Sequence, residues 1–169
     1  MAMRDALLPE FENEMSNTRK VLERVPEDKL GWRPHPKSGT MGWLAAHVAS
    51  LGQWAKITME TDELDIMPKE GSPTPPEPPT TRKDLMERFE KHSEEARKAI
   101  QGASDDDLQK PWSLLAGGSA VMTLPKGAVL RGFVMNHMIH HRGQLTMYLR
   151  LNDVPLPALY GPSADEGGF

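Results

Sequence analysis

The chain contains no cysteine among its 169 residues. This absence excludes disulfide bonds, thiolate metal sites and a covalent mechanism on a cysteine of the protein. A cosubstrate would therefore have to supply any thiol that a reaction requires.

Long hydrophobic runs are also missing. No apolar stretch approaches the ~20 residues that a helix needs to cross a bilayer. The first dozen residues turn acidic early and lack the apolar segment of a secretory signal. We therefore expect a cytoplasmic protein with no membrane partner.

Basic residues are not in excess, since the formal net charge is −4 and the isoelectric point is near 5.9. Nucleic-acid binding needs a basic stripe or patch, so no nucleic-acid partner is expected. The hydrophobic fraction of 38% and the charged fraction of 26% are typical of a globular protein with a polar surface. This length fits one domain over residues 1–169.

Four segments carry apolar residues at the spacing of amphipathic helices. They cover about residues 4–25, 41–62, 82–102 and 125–151, with Thr40 and either Thr80 or Thr81 as expected N-caps. A proline-rich surface linker is expected over residues 68–79, and a second connection with a glycine turn over residues 110–127. No alternation predicts a sheet, although residues 120–124 suit a short extended piece. These patterns predict an all-α, four-helix-bundle protein.

Three histidines fall on the apolar faces of these helices: His47, His137 and His141. Residues four apart on a helix lie on the same face, so His137 and His141 can chelate one divalent cation. His47 would be a third ligand from the second helix. Three imidazoles without cysteine are typical of an open, reactive metal site. Histidines that hydrogen-bond across helices are the alternative.

His140 leaves the choice of the chelating pair open. At ~100° per residue, His137 and His140 differ by about 60° around the helix, and His137 and His141 by about 40°. The second pair is favoured because it shares a line with the apolar stripe and with Gln144. His140 would then lie at the edge, either beside a ligand or without a role.

Several other side chains have two interpretations each. His92 is either a fourth ligand or part of the core, and His35 is expected to be an exposed loop residue. Gln144 is either a partner of a ligand or of a metal-bound water, or simply a polar residue on the helix surface. Two tryptophans and one methionine are expected either to line a pocket or to fill the core. They are Trp43, Trp54 and Met59. Solvated faces are expected for Glu10, Glu12, Glu14 and residues 105–107.

Four stretches together resemble the DinB-like (YfiT-like) family of DNA-damage-inducible metalloenzymes, which is distinct from the translesion polymerase of the same name. They are residues 26–38, 41–49, 137–145 and 153–166, and they follow the family's order over most of the chain. The segment His-Met-Ile-His-His-Arg-Gly-Gln at residues 137–144, combined with the tail, is the most specific of them.

The resemblance implies an up-down-down-up four-helix bundle that is often a homodimer. It also implies a divalent metal ion, most commonly zinc or nickel, held by His47, His137 and His141. Relatives include S-transferases and isomerases that use low-molecular-weight thiols. The function implied is a metal-dependent S-transferase or hydrolase acting on a small electrophilic molecule, with no catalytic residue assigned. The alternatives are a stress-response or binding module with a structural or vestigial metal, and a metal-free carrier.

Overall fold

The computed structural model describes residues 2–68 and 78–168, and most of these residues are helical. The helices are α1 Met3–Leu22, α2 Met41–Ser50, α3 Gly52–Glu60, α4 Arg82–Gly102, α5 Asp105–Gln109, α6 Lys126–Ala128 and α7 Asn136–Arg150. A 3-10 turn covers Glu27–Lys29, and a π-helical segment covers Val129–Met135. The strands are β1 Glu63–Asp65, β2 Pro111–Ala116 and β3 Ser119–Pro125.

Threonine hydroxyl groups cap the N-termini of α2 and α4, as the sequence predicts. The Thr40 hydroxyl accepts a hydrogen bond from the backbone N–H of Trp43 at 3.1 Å, and Thr81 accepts one from Asp84 at 3.0 Å. Each satisfies a donor that the first helical turn leaves without an intrahelical partner. Ser104 caps α5 in the same way, so the aspartates at 105–107 begin a short helix instead of forming only a solvated run. Acidic side chains are favourable there because the helix dipole is positive at its N-terminus.

The long helices pack around one apolar core. Helix α4 contacts α1, α2 and α3, whereas α7 contacts α1 and α2. The core includes residues from each predicted stripe, among them Phe11, Leu22, Met41, Leu44, Leu85, Phe89, Leu145 and Leu149. Helices α2 and α3 are separated only by Leu51, which keeps helical dihedral angles. The up-down-down-up order of the bundle stays a prediction.

The expectation of an all-helical chain is wrong for the second connection. Strand β2 pairs in parallel with β1 and antiparallel with β3, which gives a three-stranded sheet of order β1-β2-β3. Trp112 and Leu114 of β2 form a small second core with Val129. The hairpin therefore packs against the start of the last helical segment, where Phe133 also contacts this small core.

The hairpin turn has the glycine geometry that its sequence predicts. Gly117 and Gly118 have φ angles of +60° and +81°, a backbone region that favours glycine. The Asp65 carboxylate accepts hydrogen bonds from their N–H groups at 3.0 and 2.7 Å. One side chain thus joins the end of β1 to the turn between β2 and β3.

One nearly continuous helical segment runs from Lys126 to Arg150 and contains the π-helical residues. The Lys126 ammonium group donates hydrogen bonds to the carbonyl oxygens of Thr61 at 2.7 Å and Met59 at 3.3 Å. This contact attaches the beginning of the segment to the end of α3. It helps to set the position of α7 relative to α2 and α3, which together cover the second predicted helix.

The predicted proline-rich linker at residues 68–79 lies mostly outside the described residues. Within the part of the chain that the structure describes, no helix is both long enough and apolar enough to cross a membrane.

Candidate metal centre

Helices α2 and α7 bring three imidazoles together. One nitrogen atom from each of His47, His137 and His141 lies within 4.8 Å of the corresponding atoms of the other two. The ring centroid of His47 is 5.1 Å from that of His137 and 4.6 Å from that of His141. The two histidines of α7 are one helical turn apart, with centroids 4.7 Å apart. These are the three residues that the sequence nominates as metal ligands.

The spacing of two nitrogen atoms fits a shared cation. Nε2 of His47 lies 3.3 Å from Nε2 of His137. Two nitrogens bound tetrahedrally to zinc at ~2.05 Å would be about 3.3 Å apart. The donor set and its spacing therefore fit a divalent ion, for which neutral imidazole is a common ligand.

Burial keeps two of the rings, those of His47 and His137, in the neutral form that binds metals. It lowers the pKa of His47 from 6.5 to about 4, and repulsion from His141 and His137 acts in the same direction. The pKa of His137 is also lowered, first by burial and then by His141 and His140, while the Phe133 carbonyl opposes this effect. A histidine with a lowered pKa is neutral at pH 7 and retains a lone pair for a cation.

Aromatic rings surround the cluster. The Trp43 indole stacks on the His47 ring with a centroid distance of 5.3 Å and an interplanar angle of 6°. Phe133 contacts His137 at 5.6 Å and Trp54 at 5.2 Å, so it forms an apolar boundary on that side. Trp43 remains 49% exposed, which leaves a stacking surface open to small molecules next to the site.

Gly39 accounts for the position of Trp43. A Cβ atom at Gly39 would lie 2.5 Å from Cε3 of the indole, which is too close for any real contact. A side chain at position 39 would therefore displace the ring that stacks on His47. The sequence offers Trp43 only as a pocket or core residue; the structure places it beside the candidate metal centre.

His140 and Gln144 form a second layer next to the cluster. His140 is exposed and stands outside the group of three, with its ring centroid 4.8 Å from that of His141. The Gln144 amide contacts Nδ1 of His141 at 2.7 Å and Nε2 of His140 at 3.1 Å. Gln144 is thus a partner of a candidate ligand, one of the two roles that the sequence offers for it.

The remaining histidines lie elsewhere. His92 is on α4, outside the group of three, and burial lowers its pKa. The backbone carbonyl of His92 would lie 3.0 Å from a Cβ atom at Gly52, which places this part of α4 close against α3. His35 is exposed in its loop, as predicted, and its Nδ1 accepts a hydrogen bond from the N–H of Lys37.

Comparison with known proteins assigns this chain to a family. The sequence profile of the DinB superfamily matches residues 10–145, which include all three clustered histidines. The chain belongs to the DinB superfamily.

The chain is also similar to a curated protein and to two crystal structures. The uncharacterized protein YrdA of Bacillus subtilis is 28% identical over 164 residues, covering 96% of this chain and 90% of YrdA. A DinB-like protein from Bacillus cereus superposes with a TM-score of 0.70 at 21% identity, covering 92% of this chain and 97% of its own. The DinB-like protein YjoA of Bacillus subtilis gives a TM-score of 0.65 at 18% identity, covering 90% and 96%. At these identities the two structures establish the DinB-like fold alone.

A buried ion pair lies behind the histidines of this DinB-like chain. Arg142, which follows His141, is 1% exposed and pairs with Glu14 of α1 at 2.6 Å. Arg142 also donates to the Thr18 hydroxyl, and the Tyr160 hydroxyl donates to the same Glu14 carboxylate. The expectation of a solvated face is therefore wrong for Glu14, which is 4% exposed because Arg142 and Tyr160 provide partners for its charge.

Sequence reasoning missed both this pair and the π-helical segment before His137. Glu14 lies four residues after Glu10 and next to buried Met15, so its place at the edge of the apolar stripe was the only available signal. The side-chain pattern of residues 129–135 has an ordinary helical period and gives no indication of a π-helix. Such segments often occur at functional sites, and this one ends two residues before His137.

Proposed function

We propose that this chain is a divalent-metal-dependent enzyme that acts on a small electrophilic molecule in the cytoplasm, as an S-transferase or a hydrolase. The observation that carries the proposal is the convergence of three imidazoles from α2 and α7, of which His47 and His137 have lowered pKa values. His47, His137 and His141 would hold the cation, with zinc or nickel as the favoured ions. A bound divalent cation supplies Lewis acidity, which lowers the pKa of a coordinated water or thiol.

The residues around the cluster would bind and orient the substrate. The exposed Trp43 ring offers a surface for stacking of a small molecule, and the Phe133 ring packs beside His137. With no cysteine in the chain, an S-transferase would take its thiol from a low-molecular-weight cosubstrate. The up-down-down-up bundle and a homodimeric assembly belong to the same proposal.

Metal content tests the ligand assignment directly. The chain is produced without a histidine tag, and bound metals are measured by elemental analysis. We expect about one divalent ion per chain. His137→Ala should lose it because the i, i+4 chelate is broken, whereas His35→Ala, which removes an exposed loop histidine, should keep it. Full metal content in the His137→Ala variant would refute the assignment.

A second measurement separates an enzyme from a structural metal site. In the cobalt-substituted chain, ligand exchange at an open coordination position should change the visible spectrum when a small thiol is added. The same preparation is then assayed for thiol transfer and hydrolysis with small electrophiles. An unchanged spectrum at high thiol concentration, together with no turnover, would favour the non-catalytic module.

A further inference from the structure

Gln144 connects two of the histidines on α7. Its side-chain oxygen lies 2.7 Å from Nδ1 of His141, and its side-chain nitrogen lies 3.1 Å from Nε2 of His140. The three residues lie within five consecutive positions, slightly more than one helical turn, and both contacts are within hydrogen-bonding distance. A single amide group thus contacts one histidine of the cluster and one exposed histidine at the same time.

The chemistry of the amide decides where the protons lie. Its oxygen can only accept a hydrogen bond, and its nitrogen can only donate one. Neutral His141 must therefore carry its proton on Nδ1, which leaves the lone pair on Nε2. His140 must present a lone pair on its own Nε2 to accept the amide N–H. With Nδ1 engaged, Nε2 is the nitrogen that His141 has left for a cation.

We propose that Gln144 is a positioning residue that selects the metal-binding tautomer of His141 and holds its ring in place. This inference rests on the proposed function, because the tautomer affects chelation only if a cation binds. Outer partners of this kind orient metal-bound imidazoles in many sites. His140 contributes by accepting a hydrogen bond from the amide nitrogen, which fixes the orientation of the amide group.

The reversed amide would have the opposite effect. With the nitrogen toward His141, Gln144 would donate to Nδ1, and the ring proton would move to Nε2 and block chelation there. The two orientations therefore predict different tautomers of His141 in the metal-free protein. Long-range proton–nitrogen NMR on the histidine-labelled chain distinguishes them at about pH 8, above the ordinary histidine pKa of ~6.5.

Two substitutions separate the roles of Gln144. Gln144→Met keeps a similar shape but removes both polar groups, so His141 should populate both tautomers. Gln144→Glu keeps an oxygen acceptor for the Nδ1 proton and should retain the wild-type tautomer. Because position 144 is exposed, neither change should unfold the chain, and circular dichroism verifies this. Gln53→Met, at an exposed position of α3, is the matched control.

Zinc affinity, measured by competition with a chromophoric chelator, gives the second readout. Gln144→Met should weaken binding about 10- to 100-fold, as loss of an outer partner does elsewhere, while Gln144→Glu and Gln53→Met should retain most of it. An Nε2-protonated His141 in the wild type, or equal affinity of Gln144→Met and wild type, overturns the inference. A wild type with the Nδ1–H tautomer but no zinc binding supports the tautomer assignment and overturns the proposed metal-dependent function instead.

Discussion

His47 is the candidate metal ligand whose pKa is most clearly affected by its surroundings. Its ring stacks on Trp43 and faces two other imidazoles, so a positive charge there would be poorly hydrated and repelled by its neighbours. The pKa of about 4 follows from these two effects. A cation held by the three rings would replace the protons that the site excludes, because metals and protons compete for the same lone pairs.

The lowered pKa of His47 predicts a pH dependence of stability in the metal-free chain. The folded pKa of about 4 lies below the ordinary histidine value of 6.5, so the unfolded state binds more protons between these two pH values. The free energy of unfolding should therefore fall as the pH falls through this window. Urea unfolding of the wild type and of His47→Asn at about pH 7 and about pH 5 measures this contribution.

The difference between the two proteins is the informative quantity, because other groups also titrate in this range. His47→Asn keeps a polar side chain but cannot take up a proton. Its loss of stability on acidification should be smaller than that of the wild type. Equal losses in both proteins would show that burial of His47 does not oppose its protonation.

The helices are the elements that local sequence signals predict well. Thr40 and Thr81 are caps because a hydroxyl and the N–H three residues later are brought together by the helix itself. Apolar periodicity is local in the same sense. The π-helical segment differs from an α-helix only in its backbone pairing, which the side-chain pattern at residues 129–135 does not encode.

The sheet could not be predicted in the same way, because its pairing is mostly non-local. Strand β1 contains only three residues. Its first residue, Glu63, pairs with Ser113, which lies fifty positions later in the chain. Strand β3 is largely exposed and lacks the alternation of a half-buried strand. Two local signals were usable. Residues 120–124 suited a short extended piece, and they now lie in β3. Gly117 and Gly118 lie between two apolar runs, a pattern that favours a tight β-turn.

Lys126 is expected to be the strongest polar link between the sheet region and α3. It is 4% exposed, and its ammonium group lies 2.7 Å from the Thr61 oxygen and 3.5 Å from the Asp62 carboxylate. Lys126→Met would leave these acceptors without their partner, so we expect a loss of about 2 kcal/mol in the free energy of unfolding. Urea unfolding monitored by circular dichroism measures it.

Lys83→Met provides the control for the same chemical change. Lys83 is on α4, and its ammonium group pairs with Glu87 at 3.7 Å on an exposed face. Exposed pairs of this type contribute at most about 0.5 kcal/mol. A loss for Lys126→Met no larger than that for Lys83→Met would mean that the buried contacts do not stabilise the fold.

At the scale of the whole molecule, the histidine cluster depends on contacts between distant parts of the chain. His47 and His137 are 90 residues apart and meet because α2 packs on α7. The sequence predicts the members of the cluster, since each lies on an apolar face. It does not predict the Gln144 contacts or the Trp43 stacking, which depend on side-chain rotamers and on the exact rotation of each helix.

Polar contacts also join the first helix to the last helix and to the C-terminal tail. Glu14 and Arg142 are 128 residues apart, and the Tyr160 hydroxyl adds the C-terminal tail to the same carboxylate. The tail has further attachments, since Arg24 pairs with Glu166 and Arg150 pairs with Asp165. Because Arg142 is next to His141, this network helps to fix the rotation of α7 and hence the direction of the histidines.

Glu14→Gln tests whether this ion pair stabilises the whole molecule. The change preserves the shape of the side chain but leaves the Arg142 guanidinium buried without a counter-charge. Breaking a buried pair in this way costs about 3–5 kcal/mol, whereas losing an exposed pair costs less than about 1 kcal/mol. We expect the larger loss, measured by urea unfolding.

Glu10→Gln is the matched control, because Glu10 is one turn earlier on α1 and pairs with Arg131 at 3.0 Å on a partly exposed surface. It removes the same charge between the same two regions of the chain, but without burial. The double variant Glu14→Gln/Arg142→Met should recover part of the loss, since it removes the isolated buried charge as well. Similar losses for Glu14→Gln and Glu10→Gln would show that burial of the pair adds nothing, and that apolar packing alone holds the first helix against the last.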